Sequence, residues 1–178
     1  MKKILIILCL LFLVNKLYSQ TYPPNWVYEE VVIVDSTVKA ADLHSLAKLF
    51  IATNFKSSKD VIQLDDATNQ ILLVKGNVTA KILVMGMIKE HGWVNFTFKI
   101  QSKDGKYKYT ISDFYHDIVS SQQIAIGSLD KEKPGGGMAT IGKKNFEELK
   151  KSVHLDISNL ISNLKVGMAK KGNVKDNF

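Results

Sequence analysis

Different hydrophobic periods follow one another along this chain, and each predicts its own kind of element. Ile4 through Val14 is an unbroken apolar run of eleven residues, set behind Lys2 and Lys3. Trp26 to Val34 is rich in β-branched residues (Val27, Val31, Val32, Ile33, Val34) and predicts a first strand. Leu43, Leu46, Ala47 and Phe50 fall at i, i+3, i+4 and i+7, the stripe of an amphipathic helix ending near Asn54. Asp35, Ser36 and Thr37 offer its caps. Val61 to Leu64 reads as a short strand, and Ile71 to about Met87 as a longer one that Gly76 and Gly86 bend. His91-Gly92 marks a turn.

The clearest pattern is a hairpin. Val94, Phe96, Phe98 and Ile100 alternate with Asn95, Thr97, Lys99 and Gln101; after Asp104-Gly105, Tyr107, Tyr109 and Ile111 alternate with Lys106, Lys108, Thr110 and Ser112. A period of two gives each strand one apolar and one polar face, and Asp-Gly is a strong turn signal. Phe98 and Tyr109 should therefore share a buried face with Leu46, Phe50, Val153 and Leu160. Ser120 to Lys144 has no clean period and contains Pro134-Gly135-Gly136-Gly137, so it reads mostly as loop. Beyond it, Phe146, Leu149, Val153, Ile157, Leu160 and Leu164 trace one face of a second helix, with Asn145 as cap and Gly167 as stop.

The order β-α-β-β-β-β-α predicts an α+β domain: an antiparallel sheet of about five strands, helices on one face and water on the other. The boundaries follow. Residues 1–19 form a signal peptide, 20–30 the lead and start of the first strand, and 31–117 the main domain. Residues 118–144 form a Gly-rich loop region, 145–166 the C-terminal amphipathic helix, and 167–178 a Lys-rich tail.

The first nineteen residues carry the expectation of export. Their apolar run is shorter than the ~20 residues a transmembrane helix needs, and Ser19 is a small residue before a cut near Ser19/Gln20. A secreted or periplasmic location follows. Losing Lys2, Lys3 and Lys16 with the signal leaves 21 basic against 17 acidic residues, about +4 instead of +7. Every basic residue is Lys; without the planar fork of Arg, nucleic-acid reading is not expected. The single cysteine, Cys9, leaves with the signal, so no disulfide is expected.

Asn54-Phe55-Lys56-Ser57-Ser58-Lys59-Asp60-Val61-Ile62-Gln63 resembles the central signature of an exported bacterial family of unknown function. This is domain-of-unknown-function family 4468, described as having a TATA-binding-protein-like (TBP-like) fold. The hairpin from Lys103 to Asp113 is similar to its second signature. Asn69-Gln70 stands where the family pattern has a glycine before the third strand. The resemblance covers roughly Val31 to Tyr115 and implies the β-α-β-β-β-β-α fold; it implies no activity.

Candidate chemistry is sparse. Gly137 to Lys144 fits G-x-x-x-x-G-K, but Lys144 occupies the position of the hydroxyl that would hold Mg²⁺, and no buried strand leads into it. Asp113, Tyr115, His116 and Asp117 close the hairpin strand, yet alternation points His116 away from the other three. His44, His91 and His154 are scattered. Asp65-Asp66 reads as turn chemistry. No G-x-S-x-G elbow is present. The glycosylation sequons at Asn77 and Asn95 fall in strands and are discounted. Lys99, Lys106 and Lys108, with Thr97, Gln101 and Thr110, form a face able to attract anions, which otherwise reads as a solvated sheet surface.

No catalytic, cofactor-binding or metal-ligating set is expected. The reading is a non-enzymatic binding or envelope-structural module; the alternative is a small metal-dependent or hydrolytic enzyme using Asp113, His116 and Asp117. The expected partner is an envelope protein, or an acidic glycan or lipid headgroup on the Lys face. Nucleic acid is excluded, and so is a membrane span after signal cleavage.

Overall fold

The computed structural model describes residues 22–56, 58–118, 124–137 and 140–169. The signal peptide, the end of the Lys-rich tail and parts of the Gly-rich loop lie outside the described residues. In chain order the elements are β1 (Tyr28–Ile33), α1 (Ala40–Asn54), the single turn α2 (Ser58–Val61), β2 (Ile62–Asp66) and β3 (Ile71–Val84). Then come β4 (Met87–Lys103), β5 (Lys106–Asp117), β6 (Gly127–Ser128) and α3 (Lys143–Ala169). A 3₁₀ turn at Pro24–Trp26 precedes β1 and buries Trp26.

The sheet is antiparallel with strand order β1-β5-β4-β3-β2, and β6 pairs with β5 beyond the end of β1. Both long helices lie on one face. The alternation of the central hairpin does what its period requires: Val94, Phe96, Phe98 and Ile100 of β4 and Tyr107, Tyr109 and Ile111 of β5 are buried. Phe50 meets Phe98 edge-on at 6.4 Å, and Val153 is fully buried, while Leu46 and Leu160 pack at the margin of the core. The expected α+β arrangement is the observed one, with β6 as an added sixth strand.

Several local expectations need correction. Helix α1 is not capped by Asp35, Ser36 or Thr37. It starts at Ala40, and the Ala40 N–H donates to Asp104 Oδ1 (2.8 Å) in the β4–β5 turn, while Lys39 pairs with Asp104 Oδ2 (3.2 Å). A carboxylate distant in sequence thus satisfies an orphan amide at the helix start. Val61 belongs to α2, not to a strand. Asp65 is no turn residue: it accepts from His44 (2.7 Å) and Lys48 (2.5 Å) and fastens β2 to α1. Asp66 does make the turn, accepting from the Thr68 and Asn69 amides, and Gln70 takes the positive φ (56°) that a glycine would take more easily.

The expected long strand from Ile71 to Met87 is two strands joined by a turn at Met85 and Gly86, both at positive φ. His91-Gly92 is accordingly not a turn but lies inside β4. Helix α3 begins two residues before Asn145, so that side chain caps nothing, and it continues through Gly167. There a Cβ would stand 3.3 Å from the Phe50 ring, so Gly167 is a point of close helix approach. Lys150 is buried on α3, donating to the Lys131 carbonyl (2.9 Å) with its ammonium 4.3 Å from the centre of the Phe146 ring. Among the described residues no helix is long and apolar enough to cross a membrane.

Candidate functional site on the open face of the sheet

Among the described residues no element covers the face of the sheet opposite the two long helices, and its side chains fall into cross-strand rows. Near the Asp104-Gly105 turn the register aligns Val31, Lys108, Gln101 and Ile71. The next row is Glu29, Thr110, Lys99, Leu73 and Leu64, followed by Ser112, Thr97 and Lys75. Beyond these come Tyr115, Asn95 and Asn77, and then Asp117, Trp93 and Thr79.

Two β-bulges shape the far end. Between the pairs Thr79↔Trp93 and Lys81↔Glu90, β3 contributes one residue and β4 contributes two, His91 and Gly92. Gly92 sits at φ +75°, and a Cβ there would stand 2.1 Å from the Asp117 carbonyl oxygen, so only glycine fits. Between Asn95↔Tyr115 and Thr97↔Ser112, the extra residue is on β5, where Asp113 adopts φ +60°. A period of two continued from Ile111 would send Asp113, Tyr115 and Asp117 into the core. The inserted residue reverses the parity, so Phe114 and His116 are buried and Tyr115 stands 52 % exposed.

The open face therefore has two ends. One is basic: a shallow hollow of about 260 Å³ is lined by Val31, Gln101, Lys103, Lys106, Tyr107 and Lys108. Lys106 lines the hollow and Lys99 lies on the same face, as the alternation predicts, but Lys108 is engaged by Glu29 of β1 at 2.8 Å. That contact holds the Glu29 carboxyl below its usual range through hydrogen bonds from Lys108 and Thr110. The other end is polar and aromatic. A hollow of about 410 Å³ includes Asn77, Asn95, Thr97, Asp113 and Tyr115, and one of about 600 Å³ includes Thr79, Trp93 and Asp117. Sequence reading missed this end as a unit; the signal available was Gly92 beside an aromatic on the polar side of a strand.

Asp113, His116 and Asp117 do not converge. The two carboxylates face solvent and His116 is fully buried beneath the sheet. Its ring is used on both sides: Nε2–H donates to the His91 carbonyl (2.5 Å) and Nδ1 accepts from the Ile126 N–H (3.1 Å). Burial holds its pKa below the ordinary value, as the neutral tautomer in those two bonds requires. His91 stacks on it at 5.3 Å and is also shifted down by burial. His154 is bonded to the Tyr28 hydroxyl (2.8 Å) on the helix side. Among the described residues no three His, Cys, Asp or Glu side chains are grouped to hold one ion. The Gly137–Lys144 motif is interrupted by Met138 and Ala139, which lie outside the described residues; Gly142 accepts the Phe146 amide in the first turn of α3.

An antiparallel sheet with two long helices on one face and the other face free is the α+β architecture called TBP-like. The chain belongs to the family described as "Domain of unknown function (DUF4468) with TBP-like fold", whose model matches residues 28–117. Two solved structures share the fold. A TBP-like protein from Parabacteroides distasonis is 9% identical with a TM-score of 0.63, covering 85% of this chain and 97% of its own. A DUF4468 family protein from Bacteroides ovatus is 10% identical with a TM-score of 0.58, covering 83% and 88%. No curated protein matches the chain. The family and fold implied by the two signatures are thus the ones found.

Proposed function

We propose that this domain is a non-enzymatic binding module, exported from the cytoplasm, that presents the open face of its sheet to a ligand. One observation carries the reading: both long helices pack on the same side, hollows of about 410 and 260 Å³ open along the other, and one of about 600 Å³ reaches from Trp93 and Thr79 round the sheet edge to Asn54 and Phe55 at the end of α1. An uncovered sheet face whose side chains are rigidly spaced by strand pairing makes a precise platform, because its backbone does not rearrange when a ligand arrives. Export is supported by Lys2, Lys3 and the apolar run from Ile4 to Val14. The alternative enzyme reading would need Asp113, His116 and Asp117 to act together, and the sheet separates them.

Amide chemical-shift mapping against fractionated envelope material tests the surface. Shifts should gather on β3, β4 and β5 at residues facing away from the helices; shifts confined to α1 and α3 reject the reading. A panel of ester, glycoside and phosphoester substrates tests the non-enzymatic part. Turnover that disappears in Asp117→Asn or His116→Gln would overturn it. Sequencing the N-terminus of exported protein tests the location, with Gln20 or a near neighbour expected first.

A further inference from the structure

We propose that the far end of the open face, built around Trp93 and Tyr115, is a binding site for an uncharged glycan. This rests on the open-face reading and names its ligand class. Trp93 is 41 % exposed and Tyr115 52 %, both large rings left outside a sheet whose other aromatic side chains in β4 and β5 are buried. They are diagonal neighbours, since Trp93 pairs with Asp117 and Tyr115 lies two residues earlier on the same strand. Such positions are about 7–8 Å apart, a span that two adjoining sugar rings can cover. A pyranose presents a face of C–H groups whose positive edges meet the negative face of an aromatic ring.

Polar groups stand around the rings in the right variety. Asn77 and Asn95 lie side by side in the row with Tyr115, and Thr79 and Asp117 flank Trp93. A sugar hydroxyl both donates and accepts, so it needs amides, which do both, and carboxylates, which accept at two oxygens. Asp117 spends Oδ1 on the Ile118 amide, and Asp113 accepts from Ser112; neither carboxylate is in an ion pair among the described residues. An apolar protein surface laid here would bury those groups unpaired, at a cost that disfavours it. Lys56 and Lys75 line the margins of the hollows, so the two carboxylates are met by two cations and the site carries little net charge. That balance favours a neutral chain over a polyanion.

The presentation is built into the backbone. Trp93 directly follows the Gly92 bulge, and Tyr115 stands two residues after the Asp113 bulge. Asp113 holds φ +60° without being a glycine, a strain that folds tolerate where a side chain must be aimed.

Calorimetric titration of the purified protein with neutral cello-, xylo-, manno-, laminari- and chito-oligosaccharides tests the proposal. At least one should bind with a Kd of about 1 mM or tighter, indifferent to salt. Trp93→Ala should weaken it at least tenfold, whereas Trp93→Phe should restore most of the affinity. The Lys99→Gln, Lys106→Gln, Lys108→Gln variant should bind like wild type. Because Trp93 is half-exposed, an unchanged unfolding midpoint in Trp93→Ala separates lost binding from lost folding. Silence from every sugar at about 10 mM overturns the proposal, as does binding that survives both Trp93→Ala and Tyr115→Ala. Binding only to sulfated or uronic-acid chains, lost in the triple Lys variant, overturns it while leaving the open-face reading intact. Glycan-induced shifts confined to the helices overturn both.

Discussion

The end of the open face beside the Asp104-Gly105 turn carries Lys99, Lys103, Lys106 and Lys108; the far end carries Trp93, Tyr115, two asparagines and two aspartates. The two ends share the same three strands and differ in how regular those strands are. Near the turn, β4 and β5 pair without interruption from Lys103↔Lys106 to Thr97↔Ser112, and every alternate residue keeps its face. At the far end one residue is inserted on β4 and one on β5, and the parity of β5 reverses. The parity shift at a bulge therefore changes which side chains a strand presents on each face without any change in the rest of the strand's sequence. It brings out a tyrosine that alternation would bury, and it buries a histidine.

The largest expected effect tests the regular end. Phe98→Ala should destabilise the domain by about 3–5 kcal/mol in denaturant unfolding, because Phe98 is fully buried between Phe50 and the sheet, whereas Lys99→Ala should leave the midpoint nearly unchanged. Equal losses would mean that the faces are exchanged. Gly92→Ala probes the irregular end and should cost about 2 kcal/mol or more, since the added Cβ meets the Asp117 carbonyl and sits at positive φ. Its amide spectrum should change around Trp93 and Asp117 and stay still around Lys106.

Acid should separate the ends more gently. His91, His116 and His154 all have folded pKa values below the ordinary one, chiefly from burial. Their contribution is full above the unfolded value of about 6.5, so stability should decline as pH falls from there through the lower folded values. His116→Gln should be less stable at neutral pH and show a shallower decline. A flat profile in the wild type would deny the neutral His116 that ties β5 to Ile126. The carboxylates with lowered values, Glu29, Glu30, Asp65, Asp66 and Asp104, act in a separate window: their contribution is lost only as pH drops below about 4.

The smallest effect belongs to the basic end. Replacing Lys99, Lys106 and Lys108 by Gln should leave the unfolding midpoint unchanged, because all three are solvated and the Lys108–Glu29 pair is exposed on both sides. Any retention on an anionic polymer should weaken in that variant. It should also fall in the wild type as salt rises from about 0.05 to 0.5 M, where the screening length shrinks from roughly 14 to 4 Å. Retention indifferent to salt would mean that the Lys end recognises shape, against the flexibility of its side chains.

Much of this was readable in the residues. The periods of two in β4 and β5 and the stripes on α1 and α3 named the core, and the Asn54–Gln63 and Lys103–Asp113 signatures named the family. Local chemistry was less dependable where a distant partner intervened. Asp35 looked like the cap of α1, yet the Ala40 amide is satisfied by Asp104 from another hairpin. Gly167 looked like a helix stop, yet α3 runs through it, and its missing side chain leaves room for the Phe50 ring. His91-Gly92 looked like a turn, since a positive-φ glycine serves a turn and a bulge alike.

The sequence by itself determined which faces of the regular elements are apolar, because burial follows a period that each segment carries within its own few residues. It also set the absence of Arg, and with it the kind of charge the surface could present. Only the tertiary structure decided the register at the far end, because a bulge exists only relative to a partner strand. Whether Asp113 is an extra residue depends on what Asn95 and Thr97 pair with across the sheet. That pairing turned Tyr115 outward beside Trp93, and no period within β5 could have shown it.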